Sequence, residues 1–121
     1  MPSQFEVTAG KLTGPTTGGT VTQAINKGTG VTLNTESGQI TMNNAALAAA
    51  AEVSFTVTND KIAATDVVVV NHGSAGTAGS YLVGVSAIAA GSFGITVTNV
   101  SGGSLSEARV INFVALKGAS S

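Results

Sequence analysis

The stretch EVSFTVTN, residues 52–59, decides the fold. Val53, Phe55 and Val57 alternate with Ser54, Thr56 and Thr58, a period of two that sends apolar side chains to one face of a strand and hydroxyls to the other. That is a sheet with one buried face. Residues 92–99 repeat the pattern with Phe93, Ile95 and Val97, so that VSFTVTN (53–59) and FGITVTN (93–99) echo each other. Two strands sharing one pattern account for the echo without an internal repeat.

Working outward, short β-type runs fill residues 20–118. Residues 20–26, 31–34 and 39–42 read as strands, with a turn at 36–38. Residues 66–71 hold four consecutive valines, Val67 to Val70. An unbroken β-branched run predicts a strand covered on both faces, by a second sheet or by a neighbouring subunit. A glycine- and alanine-rich loop, expected to be flexible, follows at 72–80. Residues 81–89 form a long strand, 90–91 a turn and 101–104 another turn. Residues 109–116 close the domain, with Val110, Ile111, Phe113 and Val114 on both faces of a central strand. Residues 43–51 (NNAALAAAA) break the pattern, and their helix propensity predicts a single helical turn across one end. Seven or eight short antiparallel strands at this spacing predict an all-β fold, a single β-sandwich or jelly-roll-like domain.

Residues 1–19 differ. They hold both prolines, Pro2 and Pro15, and offer little to a core beyond Phe5, Val7 and Leu12. They read as an extended N-terminal arm that orders against something else, or else as a disordered tail. The expected organisation is an arm (1–19), a sandwich knob (20–118) and a short C-terminal tail (119–121).

Composition narrows the function. Only 9% of the 121 residues are charged, against roughly 25% in an average domain, and six acids nearly cancel five bases. A basic footprint for nucleic acid and a charged patch for membranes are both missing. A chain 43% apolar with so few charges is poorly protected against association, which points to self-assembly. Against that, alanine makes up much of the apolar count and is tolerated outside. Residues 1–10 lack the pattern of a signal peptide, and no run approaches the ~20 apolar residues of a membrane span. With no cysteine, thiol chemistry and Cys-type metal sites are excluded.

Catalytic equipment is equally thin. His72 is the one histidine, and Asp66 stands six positions before it, but no G-x-S-x-G elbow supplies a nucleophile. Glu52, Asp60 and Asp66 are scattered at strand ends, where turn roles explain them, and no calcium-loop spacing occurs. The loop at 73–79 lacks the Lys-Ser/Thr of a phosphate cradle. Lys27, Lys61 and Lys117 near strand ends could join an intramolecular isopeptide bond only within a buried triad. Of the five aromatics, Phe5, Phe55, Tyr81, Phe93 and Phe113, three phenylalanines fall on alternating core faces, which gives little support to a stacking platform for sugars. The expectation is a non-enzymatic protein with no cofactor, metal or small-molecule substrate.

The runs VTLNTESGQITMN (31–43), ALAAAAEVSFTVTN (46–59), ATDVVVVN (64–71) and GSLSEARVINFVALKG (103–118) together resemble a small domain of tailed-bacteriophage structural proteins. The resemblance covers about four fifths of the chain. It implies a trimeric β-rich knob with no catalytic residues to carry over. An arm plus knob, without a long shaft, resembles a capsid decoration or cement protein. Such a protein is a homotrimer that binds the major capsid protein on the outer head surface. Phe5, Val7, Leu12 and Pro15 would be the capsid-contacting residues of the arm. The alternative that the same resemblance leaves open is a trimeric head-fibre or tail-fibre tip that recognises a host-cell receptor.

Overall fold

A computed structural model of the chain describes residues 6–8, 11–13 and 18–118. Its elements are ten strands: β1 (Glu6–Thr8), β2 (Lys11–Thr13), β3 (Thr20–Thr22), β4 (Val31–Thr32), β5 (Ser37–Thr41), β6 (Glu52–Thr58), β7 (Val67–His72), β8 (Tyr81–Ala89), β9 (Ser92–Asn99) and β10 (Val110–Leu116). Eight of them form two four-stranded sheets, in the orders β3-β5-β10-β7 and β4-β6-β9-β8. The all-β sandwich read from the sequence is therefore the fold. β1 and β2 pair antiparallel as a separate two-stranded sheet.

From β3 to β8 the chain changes sheet at every link. Each sheet thus receives strands running the same way, and two pairings, β3–β5 and β4–β6, are parallel. The remaining sandwich pairings are antiparallel, so the sheets are mixed rather than wholly antiparallel.

The core lies where the two inner faces meet. β9 and β10 alternate strictly between buried and half-buried residues. Phe93, Ile95 and Val97 of β9 join Phe55 and Val57 of β6 to cover one side; Ile111, Phe113 and Ala115 of β10, with Ile40 of β5, cover the other. Phe93 and Phe113 touch across the gap with centroids 5.3 Å apart and planes at 57°. This tilted geometry suits the ring quadrupoles. Gly38 lets β5 pass beneath Phe113, since a Cβ there would fall 2.8 Å from Leu33 Cδ2 and 2.9 Å from the Gly19 carbonyl. The expected turn at 36–38 is accordingly strand from Ser37 onward.

The echo between 53–59 and 93–99 becomes a local two-fold. β6 and β9 pair antiparallel with Val53 opposite Val97 and Val57 opposite Phe93. Asn59 N donates to Gly91 O and Asn99 N to Ala51 O, both at 2.9 Å. Both asparagine side chains are fully buried at their strand ends. Asn59 Nδ2 donates to Thr35 O at 2.6 Å. Asn99 Nδ2 donates to Leu47 O (2.8 Å) and Gly103 O (2.9 Å), while its Oδ1 accepts from Ser101 N at 2.9 Å.

Two expectations are corrected. Residues 43–51 form no helix. Leu47 is buried and exchanges backbone bonds with Leu105 in an isolated bridge, and Ala50 adopts a left-handed φ of 64°. So short a run cannot offset the cost of a helical nucleus, and two bonds plus burial of Leu47 decide the matter. β7 is an edge strand rather than one enclosed between sheets. Val68 and Val70 pack on the core, but Val67 and Val69 are 56% and 46% exposed. β10, between β5 and β7, is central as expected.

Asn99→Ala removes the acceptor of the Ser101 amide and one of the two donors at each of the Leu47 and Gly103 carbonyls, and leaves a cavity at a fully buried position. It should lower stability by about 2–4 kcal/mol in urea titrations, whereas Val100→Ser on the exposed neighbour should stay within about 0.5 kcal/mol.

Candidate interaction site

The residues that carry chemistry are engaged in holding loops. His72 ends β7 and is exposed, while Asp66 precedes the other end of that strand, about 20 Å away along an extended chain. Asp66 is buried and accepts from Lys117 Nζ at 2.6 Å, from Ala63 N at 2.8 Å and from Gly118 N at 3.3 Å. Burial alone would raise its carboxyl, but Lys117 and the two amides outweigh burial and hold it below the usual value. The structure therefore keeps His72 and Asp66 apart. Among the described residues no three His, Asp or Glu side chains are grouped as metal ligands would be.

The lysines are placed just as specifically. Lys27 is buried, and its Nζ donates to the backbone carbonyls of Asn43 and Glu107. Burial lowers its pKa, and the Glu107 charge offsets part of that. Its partners are main-chain oxygens, so the side-chain amide that an isopeptide bond would need is not at its Nζ. Lys117 pairs with Asp66, and Lys61 is exposed 3.9 Å from Asp60.

Glu107 and Arg109 organise the loop after β7. Glu107 Oε1 accepts from Tyr81 Oη at 2.7 Å and Thr77 N at 3.0 Å, and Oε2 accepts from Thr77 Oγ1 at 2.7 Å. These bonds, led by the Thr77 amide, hold the Glu107 carboxyl below its usual value. Arg109 is buried, lies 5.5 Å from the centroid of the Tyr81 ring and donates to Ala75 O at 2.6 Å. Ala75 and Gly76 take positive φ angles of 67° and 86°, and a Cβ on Gly76 would sit 3.0 Å from Arg109 Cδ. The loop at 72–80 is thus tied down by two side chains 30 or more residues away, not loose as its composition predicts. Sequence reasoning passed over Tyr81, Glu107 and Arg109, because nothing local shows that they meet.

Of the expected arm contacts, Phe5 and Pro15 lie outside the described residues. Val7 and Leu12 are backbone register partners in the β1–β2 pairing. The expected tail at 119–121 also lies outside the described residues.

What the sandwich presents outward is two nearly charge-free sheet faces. On β6 and β9 the outward residues are Ser54, Thr56, Thr58, Ser92, Gly94, Thr96 and Thr98, with Glu52 at the border, and Ser54 Oγ lies 2.6 Å from Thr96 Oγ1. A shallow groove of about 290 Å³ runs between β8 and β9 on this side, lined by Leu82, Gly84, Ser86, Thr96 and Thr98. The other outer face joins β7 to β10, with Val69 opposite Val114 and Val67 opposite Leu116. No described helix is long and apolar enough to cross a membrane. Comparison with family models, with curated proteins and with solved structures finds no match.

Tyr81 is the only tyrosine and the chain has no tryptophan, so its phenol can be titrated by ultraviolet absorbance without interference. Burial first, then the bond to Glu107, pushes its pKa up to about 12. A tyrosine raised in the folded state contributes stability that is complete below its unfolded value of about 10 and is lost as pH climbs through the folded one. The native midpoint should lie near 12 and fall only part way in Glu107→Gln, since burial remains; a native midpoint near 10 would contradict the geometry.

Proposed function

We propose that this chain is a virion structural protein of a tailed bacteriophage. It assembles as a homotrimeric decoration protein that binds the major capsid protein on the outer head surface and ties neighbouring capsid subunits together. The observation that carries this reading is the division between a rigid sandwich with almost uncharged outer faces and a hairpin, β1–β2, that belongs to neither sandwich sheet. A two-stranded hairpin of three-residue strands is marginal alone and gains stability when covered. An extended segment can supply main-chain hydrogen bonds to a partner, with few side-chain requirements. The resemblance of residues 20–118 to phage structural domains supports the virion as the setting.

A second reading uses the loops instead. Loops held on a rigid scaffold are where recognition residues gather. The loop at 72–80 is fixed by Glu107 and Arg109, and that at 101–103 by Asn99. This arrangement suits a fibre tip that binds a host-cell receptor.

Gly19 O already accepts from Gln39 N within the sandwich, so the informative truncation removes residues 1–17. The truncated protein should keep its assembled mass and sheet spectrum and lose binding to phage heads in co-sedimentation. Retained head binding would refute the arm's role, and adsorption of the full chain to host cells would favour the fibre tip.

A further inference from the structure

The link between β3 and β4 carries an apolar side chain that nothing covers. Ile25 is 77% exposed, the highest value for a large apolar residue among the described residues. A single exposed isoleucine is ordinary on a protein surface. The bracing around this one is not ordinary. Gln23, two positions before it, and Lys27, two positions after it, are both buried. Gln23 Nε2 donates to Lys27 O at 2.8 Å and to Thr29 O at 3.0 Å, and its Oε1 accepts from Asn43 N at 2.9 Å. Lys27 Nζ reaches the Asn43 and Glu107 carbonyls, and Asn43 Nδ2 donates to Ala24 O at 3.3 Å. Asn26 Oδ1 accepts from Gly28 N at 2.8 Å, and Asn26 N donates to Thr29 Oγ1 at 3.0 Å. The backbone on either side of Ile25 is therefore fixed to distant segments while its side chain projects into solvent.

The groove between β8 and β9 lies on the other flank of the molecule. β3 lies against β4 and β7 against β8, at opposite ends of the two strand orders. Leu82, 62% exposed, lines this groove beside its register partner Thr98. Gly84 adds no side chain to it, and a Cβ there would point into open space. The bulge between Val85 and Ala87 interrupts the β8 edge, which disfavours an added strand and leaves a recess suited to a side chain.

We infer that copies of this chain join head to tail, with Ile25 of one copy seated in the β8–β9 groove of the next. This rests on the homotrimer of the proposed function and names the contact that builds it. Every contact in a threefold ring is heterologous: it joins one patch to a different patch on the neighbour. A projection on one flank and a recess on the other meet that requirement. The occupant is a second copy because this chain carries both halves of the contact, whereas a partner of another kind would need only one of them. Since the loop is braced beforehand, docking orders little that is free, and the burial of Ile25 is kept as affinity.

The test uses the full, cysteine-free chain. Ile25→Cys and Leu82→Cys change exposed positions and leave the core untouched. The parent's mass is read first by light scattering, and a short bis-maleimide then reports which residues are neighbours. The two single variants, co-expressed, should give covalent dimers on a denaturing gel, and each alone should give none. The double variant should close into covalent trimers. In parallel, Ile25→Ser should raise the concentration at which the trimer dissociates at least about ten-fold, the effect of losing one buried apolar side chain. Val100→Ser, at another exposed apolar position, should leave it unchanged. A trimeric parent whose co-expressed variants do not cross-link, cross-links within one single variant alone, or equal weakening by both serines overturns the inference and leaves the homotrimer standing. A monomeric parent overturns both.

Discussion

The contact between Phe93 and Phe113 is the constraint on which the sandwich depends. One ring comes from the centre of each sheet, and the pair sets where β9 and β10 must lie across the core. Around it, Ile95, Val97, Ile111 and Ala115 alternate inward from the same two strands. Truncating a buried phenylalanine typically costs about 3–5 kcal/mol, a large share of what a domain of this size has to spare. Gly38 shows how closely the neighbours are fitted: β5 reaches its place only because no Cβ stands between Phe113 and Leu33.

A small core leaves polar groups to fix the ends. Three of the charged side chains are buried there, while Glu52, Asp60, Lys61 and Lys117 remain exposed. Lys27, Asp66 and Arg109 are all buried, and each binds a backbone carbonyl or amide of a distant segment. Buried ions need such partners, since water is no longer available to them. Asn59 and Asn99 close the remaining strand ends in the same way. The sheet faces are left to valine, threonine, serine and asparagine, which neither repel copies of the chain nor attract nucleic acid.

Much of this was legible before any coordinates. The long run at 81–89 and the alternation at 92–99 matched β8 and β9 to the residue, and in β9 the alternation marks one buried face. Strands of two or three residues, such as β3 and β4, carry too little pattern to name a neighbour, so the two parallel pairings came only from the path of the chain. The alanine run at 45–51 favoured a helix locally, and a bond to Leu105, far along the sequence, overrode it. Four valines in a row were legible as a strand but not as an edge, since position in a sheet is a property of the whole fold. The cluster of Tyr81, Glu107 and Arg109 was invisible for the same reason. Within the expected arm, β1 and β2 form a two-stranded sheet of their own.

Self-assembly is the premise that joins the charge-poor faces, the braced Ile25 projection and the proposed place on a phage head. The molar mass of the purified full chain, from light scattering coupled to size exclusion, tests it most directly. A single species at three times 11.8 kDa is the expected result, and a single species at 11.8 kDa across the accessible concentrations would contradict the account.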